Sequence, residues 1–187
     1  MRDRSDRPAS TGQETRYEDL TALAATAAIA LAAPAAAQAP TYPQIAHIAY
    51  TAGQIDIANA RQALRISDNA QVRAFAETMV RDHEAVNRQA LDLVQRLHVT
   101  SEEHPTSAAL TSQAEATRER LSHLSGGAFD RAYVENEVAF HRTVNAALRD
   151  TLIPGARNAE LKSLLQSGLA LFTEHQAHAE DLAQGLR

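Results

Sequence analysis

The chain has no cysteine. Disulfides, thiolate metal sites, cysteine nucleophiles and a lipid anchor on an N-terminal cysteine are excluded within it. Tryptophan is also absent, and aromatics make up only 4% of the residues, while glycine and proline are sparse beyond residue 43. With alanine and leucine dominating the apolar set, that balance favours helices over sheets. Lys162 is the only lysine, and the net charge is -5. Such a chain lacks the electrostatic footprint of a nucleic-acid binder, and its arginines, interleaved with acids, read as solvated helix faces. Hydrophobic residues still reach 44% of 187, enough for one packed domain.

The longest apolar run is LTALAATAAIALAA at 20–33, followed by PAAAQAP. It is too short and alanine-rich for a transmembrane span, and the mature part has none. Its small-residue end, Ala35-Ala36-Ala37, has the pattern of a signal-peptide cleavage site, with Gln38 as first mature residue. The preceding stretch departs from the usual basic pattern, because Arg2, Arg4, Arg7 and Arg16 are outnumbered by Asp3, Asp6, Glu14, Glu18 and Asp19. One explanation is a start codon assigned too far upstream. The other reading of 1–37 is a disordered, Ala-rich N-terminal segment. The expected location is export to the periplasm, with residues 38–187 as the mature domain.

That domain shows apolar stripes at steps of three and four over about 43–67, 69–98, 127–152 and 157–185, with a shorter, more polar helix at 107–124. Val72, Ala76, Met79, His83, Val86, Ala90, Leu93 and Leu97 form one seam. Val134, Val138, His141, Asn145, Leu148 and Leu152 form another; Leu161, Leu164, Gly168, Leu171, His175, His178 and Leu182 form a third. Turn signals at Ser67-Asp68-Asn69 and Pro154-Gly155 make the flanking helices antiparallel neighbours. The expected fold is all-α, an antiparallel four-helix bundle with the extra short helix in its long central connection.

Three seams place a histidine inward. His83 and His141 fall near the middle of their helices, as does Asp56 on the first helix; His175 falls about four residues, roughly 6 Å, past the middle of the last. Three imidazoles and a carboxylate can therefore converge, a donor set suited to zinc, copper, iron or manganese. Glu137, Asp82, Glu174 and His178 are supporting or alternative ligands, because metal-bound imidazoles usually donate their other N–H to a carboxylate or carbonyl. The competing reading is a metal-free bundle whose core histidines are hydrogen-bonded to those carboxylates. His47, His98, His104 and His123 fall on helix ends, loops or polar faces and are given no role. Tyr50, Tyr133, Phe75, Phe129, Phe140 and Phe172 read as core packing.

No phosphate loop, H-E-x-x-H, G-x-S-x-G or Glu-x-x-His pair occurs, so no catalytic residue is assigned and a di-iron oxidase is disfavoured. The residues identify no protein partner, and a homo-oligomer of this chain is compatible with them.

The stretches VRAFAETMVRDHEAVNRQAL, LSGGAFDRAYVENEVAFHRTVNAAL and ELKSLLQSGLALFTEHQAHAEDL resemble the bacterial family called domain of unknown function 4142, also labelled "predicted outer membrane protein". The markers are A-x-x-M-V-x-D-H at Ala76–His83, F-D-x-x-Y at Phe129–Tyr133, then His141 and His175. The resemblance implies a ferritin-like four-helix fold, a cleaved signal peptide and an envelope location, and it maps the family's histidines onto His83, His141 and His175. Relatives often carry glutamate where this chain has Asp56. The resemblance implies no reaction, and the residues show neither barrel strands nor a lipidation site.

Overall fold

A computed structural model describes residues 39–186. The expected signal segment and its cleavage point near Ala37 and Gln38 lie outside the described residues. Five long helices follow: α1 (Tyr42–Ile66), α2 (Ala70–Arg96), α3 (Pro105–Ser122), α4 (Gly126–Ala147) and α5 (Ala159–Gly185). The fold is an antiparallel four-helix bundle of α1, α2, α4 and α5 with the extra helix α3, and no described helix is long and apolar enough to cross a membrane.

Local chemistry marks the helix ends. The Asn69 side chain accepts from the backbone N–H groups of Gln71 and Val72, and Asn158 accepts from Leu161, which starts α2 and α5. Gln44 reaches back to the Thr41 N–H at the start of α1. The Arg73 guanidinium donates to the carbonyls of Leu64 and Ser67 and so closes the end of α1. His104, given no role from sequence, begins α3: its Nδ1 accepts from the Thr106 N–H at 3.1 Å.

The hairpins α1–α2 and α4–α5 pack face to face, and α3 lies against α1 and the edge of α4. That coverage explains why α1 buries more than one stripe. Asn59 and Gln62 are inaccessible as well as Ile45, Ile48, Ile55 and Ala63, and the Gln62 amide donates to the Arg118 carbonyl of α3. The Ser67 hydroxyl donates to Asp130, so the α1–α2 turn is tied to α4 through the aspartate of the F-D-x-x-Y motif.

Two differences from the sequence reading concern helix geometry. On α5 the buried side chains are Leu161, Leu165, Gly168, Phe172, His175, Ala179 and Leu182. The expected Leu164 and Leu171 flank this stripe, and His178 is exposed. A strict 3,4 alternation drifts from the true 3.6-residue turn, so a wide apolar face is easily read one residue off-centre. Secondly, the helix expected to run to 152 turns from α into a π turn at Leu148–Leu152, followed by a short turn at Ile153–Gly155. Pro154 sits in that turn, where it cannot donate to a carbonyl four residues back.

The core has two apolar clusters. One, at the α1 C-terminal end, holds Phe75, Met79, Leu121, Phe129 and Tyr133. The other, at the α1 N-terminal end, holds Ile45, Ile48, Leu93, Leu152, Leu161 and Leu165. Between them, at the waist, lies a layer of buried polar side chains.

Candidate metal centre

Asp56 of α1, His83 of α2, Glu137 and His141 of α4 and His175 of α5 meet at the waist, each between 0% and 4% exposed. The heptad-like spacing of the seams puts the three histidines on the inner face, Asp56 lies on the inward side of α1 and Glu137 one turn before His141, and the antiparallel pairing brings them to one height. Ligand atoms of His83, His141 and His175 lie within 4.8 Å of one another, and so do those of Asp56, Glu137 and His141. Donors on one tetrahedral zinc-like ion sit roughly 3.3 Å apart for bonds of ~2.0–2.1 Å. That 4.8 Å limit exceeds the ideal spacing by about 1.5 Å at most, within the reach of side-chain rotation, and Asp56 Oδ2 lies 3.5 Å from His141 Nε2.

The histidines are held from outside. His141 Nδ1 donates to the Glu137 carbonyl one turn back at 3.0 Å, which leaves Nε2 facing Asp56 Oδ2 at 3.5 Å. His175 Nε2 lies 3.0 Å from Asp82 Oδ2, which leaves Nδ1 in the core. An imidazole with one nitrogen tied to a carbonyl or carboxylate and the other free is the arrangement of a metal ligand with its supporting partner. His83 is positioned by stacking on Phe172, with ring centroids 4.5 Å apart and planes 12° from parallel, and its Nε2 lies 3.6 Å from Asp56 Oδ2.

Several buried atoms here have no hydrogen-bond partner among the described residues: both Asp56 oxygens, both His83 nitrogens, His141 Nε2, His175 Nδ1 and Glu137 Oε2. Buried polar atoms are ordinarily paired, so a convergent group of unpaired donor-type atoms fits a cation in chemical character.

The electrostatics point the same way. Burial pulls the His83 pKa down to about 3, with the neighbouring His175 adding to the effect, so the ring is neutral at physiological pH. Burial also lowers His141, against an opposing pull from Asp56. Burial raises Asp56, partly offset by His141 and His175, and pushes Glu137 well above the usual carboxylate range, with the Asp56 charge adding to the rise. Neutral imidazoles are the ligating form, and two carboxyls held high by a shared buried environment would be ionised by a nearby divalent charge. On Asp82, burial acts upward, but hydrogen bonds from Arg81 and His175 outweigh it and hold the carboxylate below its usual range.

The other residues singled out from sequence lie elsewhere. Glu174 is exposed, and His178 sets its ring edge-on against Phe75, with centroids 5.1 Å apart. Sequence reasoning missed the supports of Glu137. Asn136 donates to its Oε1 at 3.4 Å, and the buried Asn59 of α1 offsets part of the upward shift of its pKa. A polar cleft between α3 and α4, about 100 Å³ in volume, is lined by the same Asn59 and Asn136. Tyr133, read as packing, is inaccessible, and its hydroxyl is held protonated by burial and by the charges of Glu137 and Asp56. Asparagines on a helix carry no sequence signal that separates a buried support from a solvated face.

Fold and site together define a helical bundle with a buried histidine–carboxylate layer at its waist. Residues 17–182 match the family described as Domain of unknown function (DUF4142), and the chain belongs to that family. No curated protein and no solved structure matches it.

Proposed function

We propose that this protein is an exported, periplasmic metal-binding bundle in which Asp56, His83, His141 and His175, with Glu137, hold one divalent transition-metal ion. The observation that carries the reading is the pairing at His141 and His175. Each ring has one nitrogen tied outward, to the Glu137 carbonyl and to Asp82, and the other buried without a partner. Three imidazoles and two carboxylates, with no thiolate, suit zinc, copper(II), iron(II) or manganese better than copper(I). Export rests on the alanine-rich segment ending at Ala37, and the ferritin-like architecture rests on the four-helix topology.

The test is metal analysis of protein purified from its native compartment, followed by titration of the stripped protein with Zn²⁺, Cu²⁺ and Mn²⁺. One equivalent of metal and a rise in melting temperature are expected. His141→Ala should abolish both. Asp82→Asn should weaken binding about 10–100-fold through its hold on His175. Absence of metal together with unchanged melting on titration would leave the metal-free reading, in which the histidines are structural. An intact Met1 in mass spectra of the native protein would remove export.

A further inference from the structure

We propose that the protein carries a second binding site, for a small uncharged hydrocarbon group, in the lumen between the histidines and the α1 N-terminal end of the bundle. The inference goes beyond the metal reading and does not depend on it.

A cavity of about 60 Å³ occupies that lumen. One water needs ~10–15 Å³, so the space holds roughly four to six water-sized groups, less than the ~150 Å³ of an apolar cavity that takes benzene and suited to a short hydrocarbon group or chain end. Its wall is almost wholly carbon. Away from its histidine end, water there would lack the two to four polar partners that retain it in a protein interior, whereas apolar molecules enter such cavities.

The lumen is built by small side chains. Ala46, Ala49, Ala52, Gly53, Ala90 and Gly168 line it from α1, α2 and α5. Packing does not demand glycine at position 168. A Cβ there would lie 3.5 Å from the Phe172 ring, in ordinary contact. Larger residues in the opposite half fill the same width of bundle completely, with Phe75, Met79 and Tyr133 at 0% exposure. The cavity is therefore a local choice of side-chain volume, not a consequence of helix spacing.

One end of the lumen is closed by His83, His141 and Phe172. A bound hydrocarbon would lie against the rings of the waist. The wall offers no cation and no cluster of donors for a charged group, which sets the ligand class as neutral and apolar. Such a group can reach the protein as a free small molecule or as the end of an acyl chain.

The experiment uses the full-length chain with chelator present, so that failure of the metal reading cannot affect it. Thermal melting and ligand-observed NMR are followed with benzene and with hexanoate. Wild type should respond with a melting rise of about 3–6 °C at ten times the dissociation constant. A response to benzene alone identifies a free hydrocarbon as the ligand. A response to hexanoate identifies an acyl chain, and either supports the site. Gly168→Leu and Ala90→Leu fill the lumen from different helices, and whichever of them folds should lose affinity about tenfold or more. The proposal is overturned if neither probe shifts the wild type, or if a folded filled variant binds as tightly as wild type.

Discussion

The two halves of the bundle solve the same packing problem differently. At the α1 C-terminal end, Phe75, Met79, Leu121, Phe129, Tyr133 and Val134 are all at 0% exposure, and Phe129 stacks on Tyr133 with planes 4° apart. At the other end, leucines and isoleucines surround a space bordered by alanine and glycine. The A-x-x-M-V-x-D-H and F-D-x-x-Y motifs both fall in or beside the filled half. Met79 and Tyr133 thus belong to the filled core on one side of the histidine layer, while His83 and His141 border the lumen on the other. The difference teaches that the polar waist meets a filled core on one side, while on the other His83 stacks on Phe172 and, with His141, borders the lumen.

The largest effect should separate the halves by stability. Phe75→Ala is expected to cost about 3–5 kcal/mol, because the surrounding aromatic cluster cannot collapse around the gap. Leu165→Ala, beside the existing cavity, should cost about 2–3 kcal/mol, near the low end for leucine truncations. Urea denaturation of the metal-free protein reads both, and equal losses would break the contrast.

A smaller effect lies at the waist. In the folded chain His83 has a pKa of about 3 against 6.5 when unfolded. Below pH 6.5 the unfolded state therefore binds the extra proton, and this residue's contribution to stability falls as pH drops toward 3. The raised carboxyl groups of Asp56 and Glu137 act with the opposite sign. Their neutral forms contribute stability that is present in acid and lost as pH rises through their folded values. The clean measurement is the difference between wild type and His83→Gln. The wild type should lose ground by about 1.4 kcal/mol per pH unit in that window. A pH-independent difference would mean that His83 takes up its proton without leaving the core.

The smallest effect sharpens the view of the lumen. Gly168→Ala should stabilise the protein by about 1 kcal/mol, since it improves helix propensity and its Cβ finds ordinary contact. Gly53→Ala should do the reverse, because its Cβ would collide with the Asn87 side chain packed across the α1–α2 contact. Melting curves of the two variants decide it; a gain in both would show that the α1–α2 contact has slack.

Much of the candidate site was legible from spacing. His83 and His141 each stand on an apolar seam near mid-helix, Asp56 lies on the inward side of the first helix near its middle, and an antiparallel bundle has to bring such positions to one height. His175 was readable as inward, but not its neighbours on α5, where Phe172 and Ala179 took positions assigned to Leu171 and His178. Phe172 matters most among these, since it was read as packing and its ring stacks on His83. Asn59 and Asn136 were invisible, because an asparagine on a polar edge becomes a support for Glu137 only once α3 and α4 are placed around it.

By itself the amino-acid order determined the helices, their turns and the inward direction of the histidines, because these follow from periodicities of three to four residues and from caps within a few residues of each end. Tertiary structure alone decided which nitrogen of each imidazole is tied outward, how far the carboxyls of Asp56 and Glu137 are cut off from water, and that a lumen survives beside them. Those properties depend on side chains from four helices sharing one small volume, where burial and neighbouring charge act through space and leave no mark on the spacing along the chain.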